Sequence, residues 1–356
     1  DLSSVSGQFL AELCDSIKLN NRQQRQTALA AAAALMEHES SCGTLAAHQA
    51  EAVFANAWSY LSETDLYMSH LVLRVATCAV ANGGSNVKSI FTNQFMPLVN
   101  TLLCSQMLQG TALSSLIACF RACGAAAVFS SHPAVVEHFA TLASAKDTPK
   151  QALLPIASVC AAYVNGIPDP ASRQGVIQVL FNLTRLPLAP ENQARLTFGM
   201  LALGNVGREN DLSSLGNAIV DQVALPAITN GWDDLRSAAA YMLGSVAAGC
   251  VPPFIQAIFA WSKKASESEQ YYVLSALREL SSCLLEANKA AAIEPFSAEL
   301  LQVLKALIAS GDEGKRSVAA ECLGKLCLLV PQALCSAILE MYTDSSKENR
   351  TVAAIA

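Results

Sequence analysis

The sequence predicts an all-α protein, an α–α superhelix of about eight to nine two-helix repeats, and three observations predict it. Apolar residues recur at helical spacing along the whole chain. Segments alternating with period two are nearly absent. A Leu-Gly pair recurs late in predicted helices at Leu203-Gly204, Leu243-Gly244 and Leu323-Gly324. The glycines are separated by 40 and then by 80 residues.

The elements follow in order. "FLAELCDSI" puts Phe9, Leu10, Leu13, Cys14 and Ile17 on one helical face, and "EAVFANAWSYL" does the same with Val53, Phe54, Ala57, Trp58 and Leu61. One series of helices begins with "RQQRQTALAAAAALM" (22–36) and continues through 70–81, 111–124, 151–164, 195–207, 235–249, 271–284 and 315–331 to "RTVAAIA" (350–356). In the 271–284 copy Leu277-Arg278 replaces the Leu-Gly pair. A second series alternates with the first, near 46–62, 88–104, 133–145, 172–186, 213–229, 252–262, 293–309 and 332–343. Pro133, Pro252, Pro295 and Pro331 stand at or just before helix starts, where a missing N–H is tolerated. Two antiparallel helices in roughly 40 residues is the signature of HEAT or armadillo repeats. One such hairpin cannot bury its apolar face alone, so neighbours stack into a curved rod whose inner face is lined by the second helix of each pair. The expectation is one continuous solenoid over 1–356. The missing initial Met at Asp1 and the mid-pattern ending suggest a fragment, or one part of a split longer protein.

Composition narrows the function. The chain has 356 residues, 52% of them hydrophobic, and a formal charge of −6. Mild acidity, with only Lys263-Lys264 and Lys315-Arg316 as basic pairs, argues against nucleic acid as a partner. The longest clean apolar run, Ala28 to Met36, is well short of the ~18 residues of a membrane span, so no membrane association is expected. The chain carries no basic-then-apolar leader pattern. Most of the 12 Cys sit singly in apolar helical runs, as Cys14, Cys78, Cys104, Cys160 and Cys283 do. Free Cys in such places behaves as a small hydrophobe, so the expected setting is reducing, cytoplasmic or nuclear.

No catalytic, cofactor or metal residue is assigned. Cys119, Cys123, His132 and His138 have metal-ligand chemistry, but "IACFRACG" reads as a helix with both Cys on its apolar face, not as the tight turn that aims two sulfurs at zinc. "GDEGKR" (311–316) lacks the length and preceding strand of a phosphate loop, and "GNVGREN" reads as a helix end and connector. No G-x-S-x-G elbow is present, and the five His all lie in the first half. The chain is therefore read as a non-enzyme.

The remaining candidates are surface residues. In "KRSVAAECLGKLCLLVP" Ala319, Cys322, Leu323, Leu326 and Val330 share one face, with Cys327 at its edge. Glu321 and Lys325 lie opposite, spaced i, i+4. Arg316, Glu321 and Lys325, with Tyr241, Arg278 and Glu279 on the corresponding second helices, are the candidate partner-binding residues, since exposed Tyr and Arg are frequent interface anchors. Gly204, Gly244 and Gly324 are read as structural. A mid-helix Gly costs ~1 kcal/mol relative to Ala, and close approach of a neighbouring helix is the simplest compensation.

Specific stretches resemble a known family. "RLTFGMLALGNVGRENDLSSLG", "LRSAAAYMLGSVAAG", "YYVLSALRELSSCL" and "EGKRSVAAECLGKLCLLVPQAL" are similar to consecutive repeats of the cullin-associated and neddylation-dissociated (CAND, or TIP120) proteins. "FLAELC", "LSETDLYMSHLVLRVAT" and "LQGTALSSLIACFRA" extend the likeness over nearly the whole chain. The resemblance implies a non-catalytic HEAT superhelix that clamps an unneddylated cullin with its RING subunit. It also implies exchange of substrate-receptor modules on the ubiquitin ligase. This segment resembles the middle-to-late part of that superhelix. The repeats at the family's N-terminal end and its late β-hairpin have no counterpart, so a polypeptide carrying the missing repeats is a further expected partner. The alternative is another HEAT scaffold, of phosphatase-regulatory or transport-receptor type. Against an armadillo importin, Trp58, Trp232 and Trp261 are followed four residues later by Ser62, Arg236 and Ala265, not by the Asn of a peptide-reading ladder.

Overall fold

Twenty α-helices, with short 3-10 and π segments, make up the regular structure of residues 3–309, 312–344 and 346–356, which are those the computed structural model describes. No strand occurs among them. Gly311, which opens the Gly-Lys stretch considered above, lies outside the described residues, as does Asp1. Helix packing groups the chain into two units, Asp1–Val179 and Leu180–Ala356.

The first unit contains α1 (Ser3–Ile17), α2 (Arg22–Ser41), α3 (Ala47–Ala57), α4 (Leu66–Asn82), α5 (Ser85–Ile90), α6 (Met96–Leu103), α7 (Gly110–Ala125), α8 (His132–Ala143) and α9 (Leu153–Gly166). Helix α10 (Pro170–Leu183) runs across the boundary. Helices α2, α4, α7 and α9 pack on one another in sequence order, and α1, α3 and α5 do so alongside. This is the two-layer stacking of HEAT-type repeats. Caps start several helices where the chain turns back. The Asn21 side chain accepts from Gln23 and Gln24 N–H before α2, and Asp65 from Met68 N–H before α4. These bonds satisfy donors that the first helical turn leaves open. The alanine-rich run fits the close layer, with Ala28, Leu29, Ala32, Ala33 and Met36 all buried.

The second unit contains α11 (Gln193–Gly207), α12 (Leu225–Asn230), α13 (Asp233–Gly249), α14 (Val251–Ser262), α15 (Glu267–Glu286), α16 (Ala290–Ile293), α17 (Ser297–Ala309), α18 (Glu313–Leu329), α19 (Pro331–Thr343) and α20 (Lys347–Ile355). Here α11, α13, α15, α18 and α20 stack in order, while α14, α17 and α19 follow one another beside them. The stacked helices begin at unequal intervals, so the 40-residue period holds only for the stretch from α11 to α13 and on average thereafter.

Three local readings change. Phe9 is 47% exposed, although Leu10, Leu13, Cys14 and Ile17 beside it are buried. Trp58 lies past the end of α3, in a 3-10 turn over Trp58–Tyr60, and is only half-buried. Two predicted helices also contain π turns. Phe91–Phe95 directly precedes Met96-Pro97, and Ala218–Ala224 directly precedes Leu225-Pro226. A proline inside a helix removes one hydrogen bond and collides with the carbonyl four residues back. Widening the preceding turn relieves that collision, and both helices continue past their proline.

Among the described residues no helix is long and apolar enough to cross a membrane.

Candidate partner-binding face in the second unit

The end of α11 reads Leu203-Gly204-Asn205-Val206-Gly207-Arg208. The glycines determine how near α13 comes. A Cβ built on Gly204 would stand 2.9 Å from Met242 Cα, and one on Gly207 would stand 2.7 Å from Val246 Cγ2. The next step repeats the device, since a Cβ on Gly244 would lie 2.2 Å from the Ala276 carbonyl oxygen and 2.8 Å from Glu279 Cβ. Any side chain at Gly244 would therefore displace α15. At Gly324 the corresponding distance is 2.8 Å, to the Ala356 carbonyl oxygen.

Because these helices lie close, polar side chains reach across them. Arg208, just beyond α11, places its guanidinium 5.2 Å from the centre of the Tyr241 ring on α13. It donates to Tyr241 Oη at 2.6 Å and to Ser245 Oγ at 3.3 Å. It also pairs with the Glu279 carboxylate on α15. Tyr241 in turn donates to Asn205 Oδ1 at 2.8 Å. Ser245 Oγ and Cys283 Sγ donate to Glu279 Oε1 at 2.9 and 3.2 Å. The Glu279 side chain is 17% exposed, and a carboxylate so enclosed is tolerated because each neighbour donates to it. Burial opposes the Arg208 charge, but Tyr241 and Glu279 outweigh it and the guanidinium pKa moves up. Burial, then the Glu279 charge, pushes the Cys283 thiol up to about 12.

One helix further the contacts become more open. Arg278, beside Glu279 on α15, faces Glu321 of α18 at 3.7 Å. Glu321 pairs with Lys325 at 2.5 Å, and Lys325 Nζ donates to Ser282 Oγ on α15 at 2.7 Å. Arg278 and Glu321 are 40% and 45% exposed, against 30% and 17% for Arg208 and Glu279, so this pair is the more open of the two.

Of the six residues expected at a partner face, the structure thus brings Tyr241 and Glu279 together around Arg208, and Arg278, Glu321 and Lys325 into a second cluster. Arg316 is half-buried on α18 and has interactions of its own. Arg208, Ser245, Asn205 and Ser282 were not anticipated. The available signal was a charged residue directly after a glycine-bearing helix end, about one repeat upstream of a Tyr with a Ser four residues later.

The four residues with metal-ligand chemistry are dispersed. Cys119 and Cys123 are fully buried in α7. His132 Nδ1 is hydrogen-bonded to Tyr163 Oη at 2.7 Å, and His138 Nε2 to Asn100 Oδ1 at 3.0 Å. Among the described residues no group of three or more His, Cys, Asp and Glu is placed to hold an ion.

No family model matches the chain. It is 28% identical over 350 residues to the cullin-associated NEDD8-dissociated protein 1 of Arabidopsis thaliana, covering 95% of this chain and 28% of that protein. It is 25% identical over 361 residues to the protein of the same name from Dictyostelium discoideum, covering 99% and 28%. The chain therefore spans little more than a quarter of the length of these relatives. Among solved structures, Kap121p bound to Nup53p aligns with 97% of this chain and 36% of its own, at 11% identity and a TM-score of 0.45. That likeness is too loose to carry a functional argument. Over nearly all of its length the chain is consistent with a segment of the cullin-associated NEDD8-dissociated family.

Proposed function

We propose that this chain is part of a non-catalytic regulator that binds cullin–RING complexes lacking NEDD8 and promotes exchange of their substrate-receptor modules. The observation that carries the reading is the similarity, over 95–99% of the chain, to proteins named for cullin association and NEDD8 dissociation. The mechanism is steric. A preformed stack of helices holds one partner along its polar edge and excludes competitors from the same surface.

Within that edge, Arg278, Arg316, Glu321 and Lys325 are the residues proposed to touch the partner. Tyr241 and Glu279 act through Arg208, holding α11, α13 and α15 in register. A rim charge of this kind acts mainly on association rate and specificity. The test is a pull-down of unmodified and neddylated cullin–RING complexes, using this chain alone and joined to the flanking repeats of a longer relative. Preferential capture of the unmodified complex is expected. Capture of neither form by the extended protein would sink the reading.

A further inference from the structure

Seven cysteines, Cys14, Cys78, Cys119, Cys123, Cys160, Cys283 and Cys322, are buried and behave as packing groups. Cys327 and Cys335 are placed differently. Cys327 lies in the last turn of α18 and Cys335 in the early part of α19, on either side of the corner at Val330-Pro331. Their sulfurs stand 3.1 Å apart, about 1 Å beyond a disulfide bond length. Cys335 is exposed and Cys327 half-buried. The neighbouring Leu328 is 74% exposed, so solvent reaches this corner.

We propose that Cys327 and Cys335 form a reversible dithiol–disulfide couple, oxidised by small-molecule disulfides of the glutathione class. Exchange begins at Cys335, the accessible sulfur. The Cys327 thiol is pushed up to about 11, by burial first and the adjacent Cys335 second, and stays protonated until a mixed disulfide forms beside it. Cys335 gives up its proton, attacks one sulfur of the oxidant, breaks its S–S bond and expels one thiolate, which takes up that proton. Cys327 then loses its proton and attacks the Cys335 sulfur of the mixed disulfide. That S–S bond breaks and the second small thiol leaves with the proton. Two protein thiols are oxidised to one disulfide, and one small-molecule disulfide is reduced to two thiols. The new bond ties the end of α18 to α19, two residues beyond Lys325, and a reducing pool of small thiols reverses it.

Both thiols fall on one tryptic peptide, 326–347. The experiment equilibrates the purified chain with oxidised and reduced glutathione in varied ratio, quenches with acid, alkylates and weighs that peptide. Loss of both thiol hydrogens, restored by dithiothreitol, is expected in the parent. Cys327→Ser should instead trap glutathione on Cys335. The proposal is overturned if the parent peptide is alkylated at both cysteines under a ratio that glutathionylates Cys327→Ser. It is equally overturned if Cys335 of that variant takes up no glutathione, or if Cys335 of the parent links to a different cysteine.

Discussion

The two units fill the space between successive stacked helices by different means. In the first, rings form a chain. Phe54 meets Phe95 edge-on at 5.4 Å, Phe91 meets Phe120 at 5.9 Å, and Phe120 meets Phe139 at 5.5 Å. Phe129 links Phe91 to Tyr163 at 6.1 and 5.7 Å. In the second unit the ring pair recorded among the described residues, Tyr271–Tyr272, involves an exposed Tyr271 and a half-buried Tyr272. There the backbones approach at glycines, and the polar row around Arg208 closes the edge. Close approach is not confined to the second unit, because a Cβ on Gly124 would lie 2.1 Å from the Tyr163 carbonyl oxygen. The second unit also buries Phe198, Phe254 and Phe259; what differs is that the rings of the first unit touch one another in a chain. Rings tolerate some sliding of one helix over the next, since several edge-to-face arrangements have similar energy. A glycine contact with a charged network around it permits one register.

The polar links differ in the same sense. The first unit joins neighbouring helices by exposed pairs, Arg22–Asp65 at 2.8 Å and Arg74–Glu37 at 2.6 Å. It also uses side-chain hydrogen bonds, His70–Ser115 at 2.6 Å and His132–Tyr163. The Arg22 guanidinium holds the Asp65 carboxyl below the usual range, but such exposed pairs contribute little. In the second unit the Arg208–Glu279 pair is partly enclosed, while Arg278–Glu321 and Lys263–Glu299 are open.

The sharpest way to break the comparison is to remove a filler from each side. Phe91→Ala should cost about 4 kcal/mol, with hydrogen-exchange protection lost across α3 to α7. Gly244→Leu should cost about 3 kcal/mol or more by forcing α13 from α15. Gly175→Ala is the control, because no atom lies within 4 Å of its added Cβ, and it should be neutral or stabilising by about 1 kcal/mol. An unchanged melting temperature in Gly244→Leu would refute close packing as the reason for the glycine.

A smaller effect tests the enclosed charge. Glu279→Gln keeps the shape but leaves Arg208 facing a neutral amide, and should cost about 1–2 kcal/mol. Arg74→Gln, on an exposed pair, should cost about 0.5 kcal/mol. Equal losses from the two, by denaturant midpoint at matched salt, would remove the distinction between these two pairs.

The smallest effect is pH-dependent. Burial lowers the His138 pKa in the folded chain, so the unfolded chain binds the proton more readily. Stability of the first unit should then fall as pH drops through the unfolded value of about 6.5 towards the folded one, and level off below it. His138→Asn should flatten that slope. A slope unchanged by the substitution would exclude His138 as its origin.

Much of this fold was legible because a stack of helices is specified locally. The helix faces in α13 and α18, the proline-marked starts of α8, α14 and α19, and the buried stripe through Ala319, Cys322, Leu323 and Leu326 are all read within one or two turns. The π turns before Pro97 and Pro226 were not legible, since a proline inside an apolar pattern is equally compatible with a break. Nor was the role of Arg208, whose partners Tyr241 and Glu279 lie 33 and 71 positions away. Glu321 and Lys325 were found because they are four residues apart on one helix. That Arg278 and Ser282 lie beside them required knowing how α15 lies against α18.

By itself, the sequence determined the all-helical repeat, the alternation of two helix series and most of each buried face, Phe9 and Trp58 excepted, because 3.6-residue periodicity and caps act over a few residues. It also determined the likeness to one family, which rests on residue identity in order. Tertiary structure alone decided which polar residues meet, that Tyr241 and Glu279 turn inward to Arg208 while Glu321 stays at the surface, and that two sulfurs eight positions apart come together at one corner. Those outcomes depend on the distance and register between helices, which the glycines permit but no local pattern states.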